Sequence, residues 1–230
     1  MQLSVLWDID HTLIDNAGVS KEIYAAAFTE IAGFAPTDPA RTEGRTDRLI
    51  MREMLCRHDV PEPEWGQVQA ALARAGQERF EELQARGAAL LGACDALKAV
   101  AEREEWMSSV LTGNIAANAR VKLAAFGLDS LVDLSVGAYG ADGIQRRDLV
   151  AVARNRIRLA YETRQDVPAV LVGDTPRDVE AALSTGSGVI AVASGIHSPE
   201  ELIAAGAAIA LPDLSDTEAL MHQLECFTTR

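Results

Sequence analysis

The stretch that decides the fold is residues 3–13, which read LSVLWDIDHTL. Leu3–Trp7 is a short apolar run, typical of a strand buried in a parallel sheet, and polar residues follow it at once. Asp8 and Asp10 lie two positions apart in this extended segment, so their side chains point to the same side. An Asp-x-Asp pair means little by itself. Directly after a buried strand, it suits a hard cation and a nucleophile/acid pair.

Further apolar runs predict five more strands, at Trp106–Leu111, Val132–Val136, Ala169–Val172, Gly188–Ala193 and, more weakly, Ala207–Leu211. Helical patterns lie between most of them, at Ala116–Phe126, Leu149–Tyr161, Arg177–Thr185 and Pro199–Ala205. This alternation predicts an α/β fold with a doubly wound, Rossmann-like and mainly parallel sheet. Because ligands gather beyond the carboxyl ends of such strands, we expect functional residues directly after each apolar run.

The first crossover is far longer than the others. Trp106 lies 98 positions after Asp8, whereas a strand–helix–strand unit needs only about 30 residues. Apolar residues at helical spacing occupy the surplus, in Lys21–Ala32, Thr46–Arg57 and Glu64–Arg86. We therefore predict that residues 16–85 form an inserted α-helical subdomain, and that residues 1–15 and 86–230 form the α/β core.

Composition limits the classes of partner. The chain has 230 residues, 48% of them hydrophobic, which is typical of a globular protein that buries a real core. Its formal charge is −13, from 34 acidic and 21 basic residues, so nucleic acid and anionic membranes are poor partners. A phosphorylated substrate would approach against this field, so a local cation would help it to bind.

The cysteines and the N-terminal residues indicate in which cellular compartment the protein is expected. Cys56, Cys94 and Cys226 are scattered and odd in number, as expected for thiols in a reducing cytosol. Only a few apolar residues precede Asp8, which does not make a secretory leader, and no stretch approaches membrane-spanning length. We expect a cytoplasmic protein.

The second strand ends in Thr112, Gly113 and Asn114 and runs into a helix. A hydroxyl followed by glycine at a helix N-terminus suits an anion, because backbone N–H groups and the helix dipole face it. Ordinary capping of the helix by Thr112 or Asn114 is the alternative.

Two later strand ends are also polar. Arg146 and Arg147 open a helix, where positive charge opposes the helix dipole. They are either a solvated surface pair or groups that hold a phosphate. Asp174 and Asp178, four apart after the fourth strand, could face a shared ion or could simply start a helix with Pro176.

Together these motifs resemble the haloacid dehalogenase superfamily. Its D-x-D-x-T-L loop matches Asp8–Leu13, its S/T-G-N motif matches Thr112–Asn114, and its G-D-x-x-x-D motif matches Gly173–Asp178. The helical insert looks like that family's cap. Gly44–Asp47 and Leu111–Asn114 look closest to the phosphoglycolate phosphatase and β-phosphoglucomutase-like branch.

The resemblance implies a role for each matched position. Asp8 would be the nucleophile that takes up the phosphoryl group, and Asp10 would protonate the leaving alcohol and then activate water. The groups implied to hold Mg²⁺ are Asp8, Asp10 (through its backbone carbonyl) and Asp174, with Asp178 steadying them directly or through water. The groups implied to bind the phosphate are Thr112, Gly113, Asn114 and a basic residue, for which we favour Arg146 over Arg147.

Two positions depart from the family pattern. His11 stands where the family usually has glycine, and it could narrow the site, contact substrate or point away. Arginine stands where the family most often has lysine, and only three lysines occur in the chain: Lys21, Lys98 and Lys122. In the cap, Arg45 and Thr46 could reach the distal part of a substrate, or Thr46 could simply cap a helix.

We therefore expect a Mg²⁺-dependent phosphatase that acts on a small phosphorylated metabolite, as a monomer or homodimer. A phosphomutase is the first alternative, because it differs only in how long the phosphorylated intermediate survives. A non-catalytic sensor of phosphorylated ligands on the same fold is the second.

Overall fold

The structure is a computed structural model, and it describes residues 1–163 and 167–228. The strands are β1 (Leu3–Trp7), β2 (Ile14–Asp15), β3 (Ala88–Ala89), β4 (Trp106–Val110), β5 (Ala169–Gly173), β6 (Gly188–Val192) and β7 (Ala210–Leu211). The helices are α1 (Val19–Ala32), α2 (Asp47–Arg57), α3 (Trp65–Glu78), α4 (Phe80–Arg86), α5 (Ala93–Ala101), α6 (Ala116–Ala125), α7 (Arg146–Ala160), α8 (Pro176–Ser184), α9 (Pro199–Ala204) and α10 (Thr217–Glu225).

Five strands form the central sheet in the order β4-β1-β5-β6-β7, and every neighbouring pair is parallel. The predicted doubly wound α/β fold is confirmed. Alternate residues of β1 point to opposite faces: Val5 and Trp7 pack into one apolar cluster, and Leu6 packs into another. Helices cover both faces, which explains why the strands are apolar runs without alternation.

The register of the sheet places the strand ends together. Trp7, the last residue of β1, lies opposite Val110 in β4 and Val172 in β5. The residues that directly follow these three strands therefore meet at one edge of the sheet.

The chain leaves and re-enters the core through a small antiparallel ribbon, in which Ile14 pairs with Ala89 and Asp15 with Ala88. Between these two strands lie α1, α2, α3 and α4, which bury an apolar cluster of their own. Phe28 and Met54 are fully buried in it, and Ile115 and Ala125 of the core pack against it. The helical segment therefore rests on the core along α6, from its N-terminal to its C-terminal end.

One prediction about secondary structure is wrong. Val132–Val136 is not a strand: it follows a short 3-10 helix at Asp129–Leu131 and folds as a turn. The Asp133 carboxylate accepts the backbone N–H of Ser135 (2.9 Å), which replaces a ladder bond. Glu64–Arg86 is helical as predicted, and it is divided into two helices because the chain leaves helical geometry at Arg79, where ψ is 14°.

Strand β7 is shorter than the run that predicted it, with two residues at Ala210–Leu211. Across the described ranges, none of the helices is both long enough and apolar enough to cross a membrane.

Candidate active site

Asp8 continues the line of β1 by one residue. Its backbone N–H donates to the carbonyl of Val172 (2.8 Å), which extends the pairing of β1 with β5 beyond the last strand residue. The side chain is buried, and its Oδ2 forms an ion pair with Nη2 of Arg146 (2.7 Å). The chain then turns sharply at His11, whose φ of 61° lies in the left-handed region, where a side chain is disfavoured. Glycine at this position in the family meets the same backbone requirement.

Asp174 and Asp178 complete an acidic group with Asp8. One carboxylate oxygen of each lies within 4.8 Å of the others, and all three residues are buried. Asp174 directly follows β5, and its Oδ1 accepts the hydroxyl of Thr12 (3.2 Å). Asp178 stands in the first turn of α8, where its Oδ2 accepts the N–H (3.0 Å) and the hydroxyl (2.7 Å) of Thr175, the residue that caps the helix. These hydrogen bonds to Thr175 hold the other oxygen of Asp178 toward Arg146.

Burial and mutual repulsion dominate the electrostatics of this acidic group. Burial raises the pKa of Asp8 to about 6, since it outweighs the opposing charge of Arg146. Burial, together with the charges of Asp8 and Asp178, also raises the pKa of Asp174 well above its usual range. Three carboxylates face one guanidinium, so the site has an excess of negative charge that a hard cation would offset.

Arg146 is the first residue of α7 and lies between two of these carboxylates. Its Nε lies 2.5 Å from Oδ1 of Asp178 as an ion pair without hydrogen-bond alignment, and its Nη2 also contacts the carbonyl oxygen of Leu111 (3.3 Å). Burial lowers its pKa, but the charges of Asp178 and Asp8 outweigh that effect and raise it. Arg147, its neighbour, is exposed. Of the two arginines, Arg146 faces the nucleophile proposed from the sequence.

The Thr112–Asn114 segment follows β4, and its side chains are engaged with one another. Nδ2 of Asn114 donates to Oγ1 of Thr112 (2.8 Å) and to Oδ2 of Asp10 (2.8 Å). Because the Thr112 oxygen accepts here, its own hydroxyl hydrogen is available to a ligand. Gly113 packs against the cap: a Cβ there would lie 2.0 Å from the carbonyl oxygen of Arg45.

Asp10 turns away from the acidic group and meets Lys122, a residue that we did not select from the sequence. The ammonium group of Lys122 lies 2.8 and 2.6 Å from the two oxygens of Asp10. Burial opposes ionisation of Asp10, but the charge and hydrogen bonds of Lys122 outweigh it and lower the pKa to about 2. A lysine within a helical pattern usually faces solvent, so the pattern did not indicate that Lys122 contacts Asp10. Its rarity in the chain and its position two turns beyond Asn114 were the available signals.

Two residues of the cap were predicted to reach the substrate. Arg45 lies in the cavity lining, and Thr46 lies in the contact between cap and core. Arg45 lines the cavity and forms an ion pair with Glu53. Thr46 caps α2 by accepting the N–H of Leu49 (3.3 Å), and its hydroxyl donates to the carbonyl of Ile144 in the core (2.8 Å). Thr46 is 1% exposed and therefore lies in the cap–core contact.

Asp47 makes a cap–core connection that the sequence did not suggest. Its carboxylate accepts the hydroxyl of Tyr24 (2.6 Å) and the backbone N–H of Ile115 (2.7 Å). Its own N–H donates to the carbonyl of Gly113 (2.7 Å). Burial raises the pKa of Asp47 to about 6.

These groups surround a cavity of about 240 Å³ between core and cap. Asp8, Asp10 and Asp174 line it from the core, and Tyr24 and Arg45 line it from the cap. His11 also lines it, which fits narrowing or substrate contact better than pointing away.

Comparison with known proteins shows the family of the chain. The family model described as haloacid dehalogenase-like hydrolase matches residues 5–183. The chain belongs to that family. It is therefore a hydrolase, and the resemblance drawn from its motifs is confirmed at the family level.

Individual proteins that resemble this chain share only a small part of its sequence. This hydrolase is 27% identical over 228 residues to a protein of Dickeya dadantii named "Probable phosphatase IndB", covering 97% of this chain and 95% of that one. A "predicted phosphatase" from Clostridium acetobutylicum has a similar fold, with a TM-score of 0.65, 19% identity and coverage of 95% and 98% of the two chains. A "predicted phosphoglycolate phosphatase" from Haemophilus somnus gives a TM-score of 0.65 at 15% identity, over 96% and 99%.

Proposed function

We propose that this hydrolase is a Mg²⁺-dependent phosphatase that acts on a small phosphorylated metabolite through a phosphoryl group carried by Asp8. One observation carries the proposal: Asp8 shares a buried site with Asp174, Asp178 and Arg146, at the cavity between core and cap. A carboxylate in this setting combines a nucleophilic oxygen with groups that can neutralise an incoming phosphate.

The donor set suits Mg²⁺. Asp8, Asp174 and Asp178 offer hard carboxylate oxygens within 4.8 Å of one another, and Asp10 would add its backbone carbonyl. When bound, the ion would offset negative charge on the transferred phosphoryl group and on the carboxylates. Arg146 supplies a second positive charge beside Asp8.

The residues of the chain account for the reaction steps. A carboxylate oxygen of Asp8 forms a bond to phosphorus while the bond from phosphorus to the leaving alcohol oxygen breaks. Asp10 gives a proton to that alcohol. The oxygen of a water molecule then forms a bond to phosphorus while the bond from phosphorus to Asp8 breaks. Asp10 takes up the proton that this water releases, which restores the proton for the next cycle. The hydroxyl of Thr112, the backbone N–H of Gly113 and the guanidinium of Arg146 would bind the remaining phosphate oxygens.

Cavity size and lining support a small substrate. At about 240 Å³ the cavity is smaller than most drug-sized binding pockets. Arg45 and Lys21 add positive charge to its lining, which favours a substrate such as phosphoglycolate or a sugar phosphate. The name of the Dickeya relative, a probable phosphatase, also supports phosphatase activity. We propose the same ligand class, rather than nucleic acid or membrane, as the partner.

Release of p-nitrophenolate from p-nitrophenyl phosphate tests the proposal, measured with Mg²⁺ and again with excess EDTA. We expect turnover with Mg²⁺, loss of that turnover with EDTA, and recovery when Mg²⁺ is restored. A panel of glycolyl and sugar phosphates, assayed for inorganic phosphate, then identifies the substrate class.

Two results would overturn the proposal. If no compound in the panel gives Mg²⁺-stimulated phosphate release, the protein is a sensor of phosphorylated ligands. If sugar phosphates interconvert without release of phosphate, the protein is a phosphomutase.

A further inference from the structure

Lys122 is a buried charge that the proposed function does not use. Its side chain is 2% exposed, although it belongs to α6, a helix whose outer face meets solvent. Its ammonium group donates to Oδ1 of Asp10 (2.8 Å), Oδ2 of Asp10 (2.6 Å) and Oδ1 of Asn114 (2.6 Å). A lysine ammonium has three N–H donors, and each of the three has an acceptor here.

Such a lysine is costly as a structural element. Burying an ammonium group is unfavourable unless it is paired, and apolar residues of similar volume stabilise a fold equally well or better. The neighbouring Leu123 and Ala119 are fully buried apolar residues, so an apolar side chain would suit this environment. The hydrogen bonds of Lys122 go to Asp10 and to Asn114, which itself donates to Asp10.

We infer that Lys122 is a positioning residue for Asp10: it holds the carboxylate of the proposed acid and base in one orientation toward the cavity. This inference rests on the proposed function. Asn114 donates to Oδ2 of Asp10 (2.8 Å), and Asn16 donates to Oδ1 (2.7 Å) from the other side. The side chain of Asp10 is held on these sides and remains 25% exposed where it borders the cavity.

The two buried cations serve different carboxylates. Arg146 forms ion pairs with Asp8 and Asp178, whereas Lys122 forms its ion pair with Asp10. Losing Lys122 should therefore impair the steps in which Asp10 moves a proton and spare the attack of Asp8 on phosphorus. A nitrophenolate leaving group does not need protonation, so it separates these two steps.

The variant Lys122→Met tests the inference by stopped-flow assay of p-nitrophenyl phosphate with Mg²⁺. We expect a burst of about one nitrophenolate per active site, followed by steady turnover slowed on the order of 10²-fold, because acid–base catalysis typically contributes at least that factor. We expect KM for substrates with alkyl leaving groups to change less than their kcat. Lys98→Met is the matched control: Lys98 is exposed on α5, and we expect wild-type kinetics.

A double-mutant cycle covers the case in which Lys122→Met alone folds poorly. The variant Asp10→Asn with Lys122→Met removes both members of the buried pair and leaves no unpaired charge there. If Lys122 acts through Asp10, adding Lys122→Met to Asp10→Asn lowers the nitrophenolate rate no further. A merely structural lysine would lower the rate in both backgrounds and would give no burst.

The outcomes separate the inference from the proposed function. A wild-type protein that shows no Mg²⁺-dependent release refutes the proposed function, and the inference with it. An active wild type whose Lys122→Met variant keeps its kcat, or loses a further tenfold in the Asp10→Asn background, refutes the inference alone.

Discussion

Two regions beside the cavity hold buried carboxylates in opposite ways. One is the core side of the cavity lining, here called the core wall, and the other is the contact between cap and core at Asp47, here called the cap wall. On the core wall, Asp8 and Asp10 each form an ion pair with a buried cation, Arg146 or Lys122. On the cap wall, Asp47 accepts hydrogen bonds from two neutral donors, the hydroxyl of Tyr24 and the N–H of Ile115.

This difference predicts different roles for the two walls. Opposite charges lock the core carboxylates at the ends of the strands, where the proposed chemistry requires fixed positions. The cap is joined to the core at Ile115 by a hydrogen bond whose strength depends on the charge state of Asp47. Residues of the core wall should therefore determine the rate of the chemical steps, and residues of the cap wall should determine how firmly the cap binds to the core.

The largest effect is expected at Asp8. The variant Asp8→Asn should lower kcat for p-nitrophenyl phosphate on the order of 10⁴-fold or more, because the amide lacks the nucleophilic oxygen. The amide has nearly the same volume and leaves the chain folded, so circular dichroism and gel filtration should match the wild type. The control is Asp95→Asn, the same substitution at an exposed position of α5, with unchanged kcat. Activity retained in Asp8→Asn would assign the nucleophile to another residue.

An intermediate effect should separate the two neighbouring arginines. Arg146→Ala removes the guanidinium beside Asp8, and we expect kcat/KM to fall by about 10²- to 10³-fold, as for other donors that stabilise a developing anion. Arg147→Ala removes the same side chain from an exposed position and should stay within about twofold of wild type. Steady-state kinetics of both variants at saturating Mg²⁺ make the comparison, and the reverse ranking would contradict the placement of Arg146.

The core wall was predictable because local sequence and sheet topology both determine it. Parallel strands place their carboxyl ends at one edge, so residues directly after β1 and β5 had to meet there once the strands were recognised. Asp178 also belongs to a Thr-Pro-x-Asp helix start, which fixes its direction locally. Arg146 opens α7 as predicted, although the strand predicted before it, at Val132–Val136, is a turn.

The remaining contacts depend on how helices pack, which local patterns do not encode. Whether Lys122 faces solvent or Asp10 depends on the rotation of α6 against the core, and Asp47 meets Tyr24 only because α1 and α2 pack together. Val132–Val136 fails for a related reason: its apolar residues suit a strand, yet Asp133 satisfies a backbone donor locally and forms a turn.

The smallest predicted effect concerns stability at the cap wall and follows from Asp47. Its pKa is raised from 3.8 to about 6 in the folded protein, with burial as the main cause. Its protonated form therefore favours folding below about pH 4, and that contribution is lost as pH rises through 6. The charges of Lys122 and Asp10 act on it in opposite directions.

Asp47→Asn should remove this pH dependence while keeping both hydrogen bonds. The amide oxygen accepts the N–H of Ile115, and the amide nitrogen donates to the oxygen of Tyr24. Urea unfolding in EDTA, from pH 4.5 to 7.5, should show the variant gaining stability relative to wild type as pH rises, by at most about 3 kcal/mol. Contributions from Asp8 and Asp174 are common to both proteins and cancel in the difference.

Tyr24→Phe is the matched control for that measurement. The hydroxyl of Tyr24 stabilises the ionised form of Asp47, so its loss should move the pH at which stability falls to a higher value. A difference between Asp47→Asn and wild type that stays constant across this pH range would show that Asp47 does not titrate there. In that case Asp47 would be held ionised across this pH range, as Lys122 holds Asp10 on the core wall, and the contrast between these two carboxylates would disappear.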